Sequence, residues 1–286
     1  MILLPETIET LDGIAARYAA IFCDVWGVLH NGVDVFPEAE RALSRARAAG
    51  AVVILITNSP RPHRGVEAQL TAMGIDAGAW DRIVTSGDAT RELIRAAPGR
   101  IFHLGPERDR GIFEGLDADL VEDMEADVVV CTGFFDDEQE VPADYADMLG
   151  DMRARDLPFI CANPDIVVER GDDLIWCAGA LARDYAALGG RTLIAGKPHR
   201  PIYDAALKNA SEAAGREIGR REVLAIGDGV LTDVKGASDN GVDVIFVTGG
   251  IHWRDYGEQL TPDAARLSAF LDHHGHRPVA VMPRLR

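Results

Sequence analysis

The sequence predicts an α/β fold built on parallel sheet, and two observations carry that prediction. Short apolar runs alternate with amphipathic stretches of helical period along the chain, and most of the runs close on Gly, Thr, Asn or Asp. Continuous apolar runs joined by helices suit parallel strands covered on both faces, because right-handed crossovers lay helices against each side of the sheet. Open parallel sheets bind ligands at the carboxyl ends of their strands, so the polar residues closing each run are the first candidates for chemistry.

The elements follow in order. AAIFCDVW (19–26) reads as a buried strand, and PEAERALSRARAAG (37–50) as a helix, with Pro37 suited to its first turn and Gly50 to its end. AVVILITN (51–58) is the next strand, and a helix is expected over about 62–73. RIVTSG, RIFHLG, DVVVCTG, PFICANPD, RTLIAGKP, EVLAIGDG and DVIFVTGG continue the alternation. No fixed-period repeat or low-complexity segment interrupts it, so domain limits must come from the motifs.

Composition narrows the partners. A chain of 286 residues, 47% of them hydrophobic, can bury one large domain or two modest ones. Its 29 Lys and Arg stand against 46 Asp and Glu, a formal net charge of -17. That charge repels nucleic acids and anionic membranes, so a bound phosphate must be held locally by a metal, backbone N–H groups or a few placed cations. Cys23, Cys131, Cys161 and Cys177 lack CxxC spacing and sit mostly in apolar runs, which reads as reduced core thiols. MILLPETIETLDG has no basic leader region, and no apolar run is long enough to span a bilayer, so the expected address is the cytoplasm.

The strand ends supply the chemistry. Asp24 closes the first strand; Thr57, Asn58 and Ser59 close the second; Asp228 and Asp233 follow a late one in IGDGVLTD, and Lys197 stands in AGKPH. Each alone has an ordinary explanation as a helix cap or turn former. Their ordered conjunction is specific. Paired carboxylates need a cation, and hard oxygen ligands with waters suit Mg²⁺, which then shares a substrate phosphate. Thr57 and Asn58 precede a helix, whose first N–H groups can cradle phosphate oxygens. Lys197 adds positive charge against nucleophile and phosphate.

These segments resemble the haloacid dehalogenase superfamily, and the long insert between the second and third motifs makes the chain similar to its NagD-like, type IIA-capped branch. The matching stretches are DVWGVLHNG, LITNSPRP, FICANPD with CAGALARDY, AGKPHRPIYDAAL and IGDGVLTDVKGA, and the likeness covers nearly the whole chain. The resemblance implies a Rossmann-like parallel-sheet core over 1–84 and 191–286, with an inserted α/β cap over 85–190. It implies a Mg²⁺-dependent phosphohydrolase acting on a small phosphorylated metabolite, such as a sugar phosphate, a nucleoside monophosphate or a pyridoxal phosphate. Asp24 would form an aspartyl-phosphate that water hydrolyses. Asp24, the backbone carbonyl of Trp26 and Asp228 would hold the metal, and Asp233 would orient Lys197. Thr57, Asn58 and Ser59 would bind the phosphoryl group, and Asn163 and Asp165 would hang from the cap near the leaving group. Apolar helical cap surfaces can pair, so a homodimer is compatible with the sequence.

Trp26 departs from the family pattern, which has a second Asp there to protonate the leaving alkoxide and deprotonate the attacking water. Indole does neither. General acid–base catalysis is typically worth about 10² to 10⁴ in rate, so a slow enzyme is expected. Three readings stay open. In one, His30, His199 or Asp165 supplies the acid, or a good leaving group makes it dispensable. In another the protein binds a phosphorylated ligand without hydrolysis, and in the third it cleaves a different bond. Trp26 itself is either a packing residue or a platform on which a flat organic group stacks. Two further stretches tempt a site: HHGH, with His273, His274 and His276, reads as a solvated loop, and FFDDEQE (134–140) most simply as an exposed cap loop, the alternative being that it excludes substrates with more than one phosphate.

Overall fold

A computed structural model describes residues 5–97 and 99–286. The chain forms two compact units. The first takes in the described residues up to Thr57, Glu67–Val84 and Tyr203–Arg286; the second takes in Asn58–Val66 and Thr85–Ile202.

The first unit is built on a seven-stranded sheet in the order Glu6–Thr7, Ala280–Met282, Asp243–Val247, Val223–Gly227, Ala20–Cys23, Val52–Thr57, Arg82–Thr85. Pairing is parallel from Glu6–Thr7 through Val52–Thr57. Every residue of Ala20–Cys23 and Val223–Gly227 is buried. Successive strand residues point to opposite faces, so this pattern means that both faces are covered. The helix Pro37–Ala48 contributes Ala39, Ala42, Leu43 and Ala46, a buried stripe at helical spacing. In register, Cys23 lies beside Leu55 on one side and Ile226 on the other. The carboxyl ends of the three central strands therefore open side by side, and Asp24, Thr57 and Asp228 stand on them. After Asp228 the chain makes a π-helical turn, Val230–Val234, in which the N–H of Val234 donates to the carbonyl of Gly229 at 3.1 Å.

The second unit has its own five-stranded sheet in the order Thr192–Ile194, Phe159–Cys161, Val128–Cys131, Arg100–Leu104, Asp119–Leu120, parallel throughout. An antiparallel hairpin, Val167–Arg170 with Asp173–Trp176, accompanies it. Phe159 stacks on Tyr185 with ring centroids 5.0 Å apart, and the Tyr185 hydroxyl donates to the carbonyl of Leu157 at 2.6 Å. Burying such a ring contributes about 1.5–3 kcal/mol, and the hydrogen bond removes the cost of its polar tip. The apolar run of RTLIAGKP pairs into this sheet, so the second unit extends past residue 190 to Ile202.

Two loop expectations need correcting. FFDDEQE is not simply exposed: Phe134 is buried, Asp137 pairs with Arg108 and Arg170, and Glu140 accepts from the Tyr145 hydroxyl at 2.7 Å. The arginines lie about thirty residues away on either side, out of reach of a local charge reading. His273 and His274 form the last turn of the helix Ala264–His274 rather than a loop, and His274 meets Phe270 edge-on at 4.6 Å. All four cysteines are buried free thiols. Among the described residues, no helix is long and apolar enough to cross a membrane.

Candidate active site

In the first unit, Asp24, Asp228 and Asp233 each offer a carboxylate oxygen, and the three oxygens lie within 4.8 Å of one another. All three side chains are buried. Each is fixed by backbone. The N–H of Val25 donates to Asp24 Oδ1 at 2.7 Å, that of Ile251 to Asp228 Oδ2 at 2.8 Å, and that of Gly229 to Asp233 Oδ2 at 3.1 Å. The N–H of Asp24 itself donates to the carbonyl of Ile226 at 2.8 Å, carrying the sheet's hydrogen bonding one residue past the strand. Three negative charges this close call for a cation among them, and an all-oxygen donor set suits Mg²⁺.

Glycine makes the trio sterically feasible. Gly27 has φ +83°, and a Cβ there would fall 2.1 Å from Asp228 Oδ2; one on Gly250 would fall 2.0 Å from the same oxygen. Asp228 is thus packed between two backbone segments that admit no side chain. The motif DVWGVLHNG needs Gly27 for this reason, whatever stands at position 26.

Trp26 is half-buried two residues beyond Asp24. Its ring meets that of His30 edge-on, with centroids 4.9 Å apart. His30 is buried, its carbonyl accepts the N–H of Gly27 at 2.8 Å, and its Nδ1 accepts the N–H of Gly32 at 2.9 Å. Burial lowers its pKa from 6.5 to about 4. An acceptor Nδ1 and a depressed pKa agree: the ring is neutral near pH 7, with its proton on Nε2. Of the replacement acids suggested by sequence, His30 is therefore a fixed neutral imidazole, and His199 is an exposed side chain of the second unit.

The second unit gathers a different set. Asn58 is buried, and its Nδ2 donates to Asp165 Oδ1 at 2.8 Å and to the Lys197 carbonyl at 3.2 Å, while its Oδ1 accepts the Lys197 N–H at 2.7 Å. One amide thus holds the backbone on both sides of the buried Lys197 and the carboxylate of Asp165. Asn163 Oδ1 accepts the N–H of Asp165 at 3.1 Å, so ANPD is an Asx-type turn that aims Asp165 at Asn58. Ser59 serves the loop: its carbonyl accepts the N–H of Gly87 and its hydroxyl that of Arg61.

Sequence reasoning missed two features. His252, just after Gly249 and Gly250 in VTGGIHW, is half-buried with Nδ1 3.4 Å from Asp255 Oδ2. Burial lowers its pKa, while the charges of Asp255 and of Asp233 oppose the shift. Its position after a strand end was the available signal. Ser86 and Thr90, one turn apart on the helix Ser86–Ala96, are the buried hydroxyls with no hydrogen-bond partner among the described residues, and nothing in TSGDAT announces it.

With this geometry established, comparison with known proteins gives the family. Residues 21–119 match the haloacid dehalogenase-like hydrolase family model, and residues 194–273 match a second hydrolase model of the same superfamily. A solved hydrolase of the haloacid dehalogenase-like family from Brucella suis is 56% identical and superposes with a TM-score of 0.89 over 98% of this chain and 100% of its own. A "possible sugar phosphatase" of the same superfamily from Cytophaga hutchinsonii shares the fold, with a TM-score of 0.78 at 21% identity over 98% of this chain and 99% of its own. The dihydroxyacetone phosphatase of Corynebacterium glutamicum is 26% identical over 80% of each chain. Parallel sheets with acids on adjacent strand ends, two family models and a majority-identical relative agree, and the chain belongs to the haloacid dehalogenase-like hydrolases.

Proposed function

We propose that the protein is a Mg²⁺-dependent phosphatase of a small phosphorylated metabolite, with Asp24 as the phosphoryl acceptor. The observation that carries this reading is the buried trio of Asp24, Asp228 and Asp233 in a member of a hydrolase family. The kinship with a dihydroxyacetone phosphatase supports the same reaction class.

The three buried carboxylates fit a hard divalent ion, and on the family pattern Asp24, the carbonyl of Trp26 and Asp228 would hold it. Bound there, it would offset the repulsion between an anionic nucleophile and an anionic phosphoryl group. A carboxylate oxygen of Asp24 would attack phosphorus as the bond to the leaving group breaks, and water would then hydrolyse the aspartyl-phosphate and return the free acid. Thr57, Asn58 and Ser59 are the expected phosphoryl ligands, and Lys197, oriented by Asp233, the expected balancing charge. Asn163 and Asp165 would serve the leaving group from the second unit, taken as the family's cap with the remainder as core. Trp26 would favour flat organic groups over simple sugars. A cytoplasmic address and a homodimer complete the proposal.

The test is turnover of p-nitrophenyl phosphate with Mg²⁺ and with EDTA, beside Asp24→Asn and calorimetric Mg²⁺ binding. Metal-dependent turnover that disappears in Asp24→Asn is expected. Mg²⁺ binding without turnover would replace the reading by that of a non-hydrolytic phosphate-binding relative.

A further inference from the structure

We propose that the second unit holds a site for a phosphate dianion, free or carried by a small metabolite, in a cavity lined by Arg64 and Arg91. The site shares no residue with the carboxylate trio or with the phosphoryl ligands expected at 57–59, and it stands whether or not the protein is a phosphatase.

The topology of the second sheet leads to it. From Arg100–Leu104 the chain passes to Asp119–Leu120 on one side and then returns to Val128–Cys131 on the other. Strand order reverses there, and in an open parallel sheet the crevice at the carboxyl ends of such a pair is where ligands bind. The segments leaving those two ends meet: Arg108, on the 3₁₀ stretch Glu107–Phe113, pairs with Asp137. Arg108 also lines a cavity of about 350 Å³, in the size range of small-molecule sites. The other walls are the helix Ser86–Ala96 and the segment 61–65, all in the second unit.

In a chain of net charge -17 these walls are rich in arginine. Arg61, Arg64, Arg91 and Arg108 line the cavity with the acids Asp88, Asp109 and Glu114. Two of the acids are engaged. Asp109 pairs with Arg61 at 3.2 Å, while Asp88 Oδ2 accepts the N–H of His63 at 2.9 Å and the Thr85 hydroxyl at 3.1 Å. Glu114 is exposed, and its carboxylate pairs with no arginine among the described residues. Arg91 is held differently. Its Nη1 donates to the carbonyl of Ile112 and its Nη2 to that of Glu114, both at 2.6 Å. Neutral carbonyls thus fix the guanidinium and leave its charge uncompensated, with N–H donors to spare. A fork fixed in this way loses little freedom on binding an oxyanion. Arg64 is exposed, and its side chain makes no hydrogen bond or ion pair among the described residues. Two guanidinium charges without a carboxylate partner match a phosphate, largely dianionic at neutral pH, better than a singly charged carboxylate. A water's share of liquid volume is about 30 Å³, so the cavity has room for a phosphate and a few carbon atoms besides.

The experiment titrates the metal-free protein, in EDTA, with inorganic phosphate, glycerol phosphate and acetate by calorimetry. Without a divalent ion the carboxylate trio repels anions, so it contributes no phosphate binding. The variants are Arg64→Ala, Arg91→Lys and Glu114→Gln. Saturable phosphate binding is expected, weakened about tenfold or more in Arg64→Ala, which loses a charge-assisted bond, and in Arg91→Lys, which keeps the charge but loses the fork. Glu114→Gln should tighten it, because a negative charge leaves the wall, and acetate should bind at least about tenfold more weakly than phosphate. Tighter binding of glycerol phosphate than of phosphate would identify a metabolite as the source, and the reverse order the free ion; both uphold the site. Phosphate binding left unchanged by Arg64→Ala would put the ion elsewhere and overturn the proposal, as would no binding at millimolar phosphate or acetate binding as tightly as phosphate. Arg64 and Glu114 are exposed with no side-chain bonds among the described residues, so their variants decide the matter even if Arg91→Lys does not fold.

Discussion

Gly27→Ala is expected to destabilise the metal-free protein by about 2.5–5 kcal/mol, in part through Asp228. The first contribution is backbone: φ is +83°, and a left-handed conformation costs an L-residue about 1–2 kcal/mol. The second is contact. The new Cβ would lie 2.1 Å from Asp228 Oδ2, where non-bonded atoms want roughly 3.5 Å, so the carboxylate must move by more than an ångström. Retreat toward Gly250 keeps it against a backbone that also admits no extra atom, and moving it breaks the 2.8 Å bond from the Ile251 N–H. A hydrogen bond to a charged group is worth about 1.5–3 kcal/mol. The assay is a double-mutant cycle by urea unfolding in EDTA, with wild type, Gly27→Ala, Asp228→Ala and the double variant. In the Asp228→Ala background, Gly27→Ala should cost only the backbone part, leaving a coupling of about 1.5–3 kcal/mol. An equal cost in both backgrounds would refute the reasoning, because the glycine would then serve only its dihedral angle.

Three other outcomes follow from the geometry. Asn58→Ala strips the Oδ1 acceptor from the buried Lys197 N–H and the amide donor from Asp165, and should cost about 2–4 kcal/mol in urea unfolding; a loss under about 1 kcal/mol would count against Asn58 as the clamp of that loop. His103 is buried against Thr132 Oγ1 at 2.9 Å, and burial, with help from the charge of Arg110, lowers its pKa from 6.5 to about 4. The unfolded chain therefore takes up the proton first, so the stability of the neutral form is complete above pH 6.5 and is lost as pH falls toward 4. Between pH 7 and 5 this ring should account for about 2 kcal/mol of lost stability, and His103→Gln should remove that part of the slope; an unchanged slope would refute it. Ser86→Ala deletes a buried hydroxyl without a partner and should raise the melting temperature or leave it unchanged, whereas a clear drop would reveal a bridging water.

Much of the first unit was legible because its signals are local. The helix expected over 37–50 spans Pro37–Ala48, the one expected over about 62–73 spans His63–Ala72, and EVLAIGDG and DVIFVTGG each form a strand. The acids Asp24, Asp228 and Asp233 could be picked out because each stands at or just past the end of a buried run, and the structure brings them together. Non-local pairing was not legible. RTLIAGKP reads as a strand, but nothing in it says that its partner is Phe159–Cys161, since parallel neighbours are joined through distant chain. The hairpin of 167–176 escaped because its runs are short and interrupted by charge. What surrounds Trp26 was hidden for a similar reason: the tautomer of His30 depends on where the N–H of Gly32 points, which spacing does not encode.

In the π-helical turn at Val230–Val234 the carbonyl of Gly229 accepts from two successive N–H groups, that of Asp233 at 2.8 Å and that of Val234 at 3.1 Å. Deleting the exposed Leu231 would break the four-residue spacing at which the Asp233 N–H reaches the Gly229 carbonyl and the Asp233 carboxylate accepts the Gly229 N–H. A length change of one is thus enough to disturb the third carboxylate of the trio. In this chain the spacing between the two aspartates of IGDGVLTD therefore matters more to the centre than the identity of the exposed Leu231 between them.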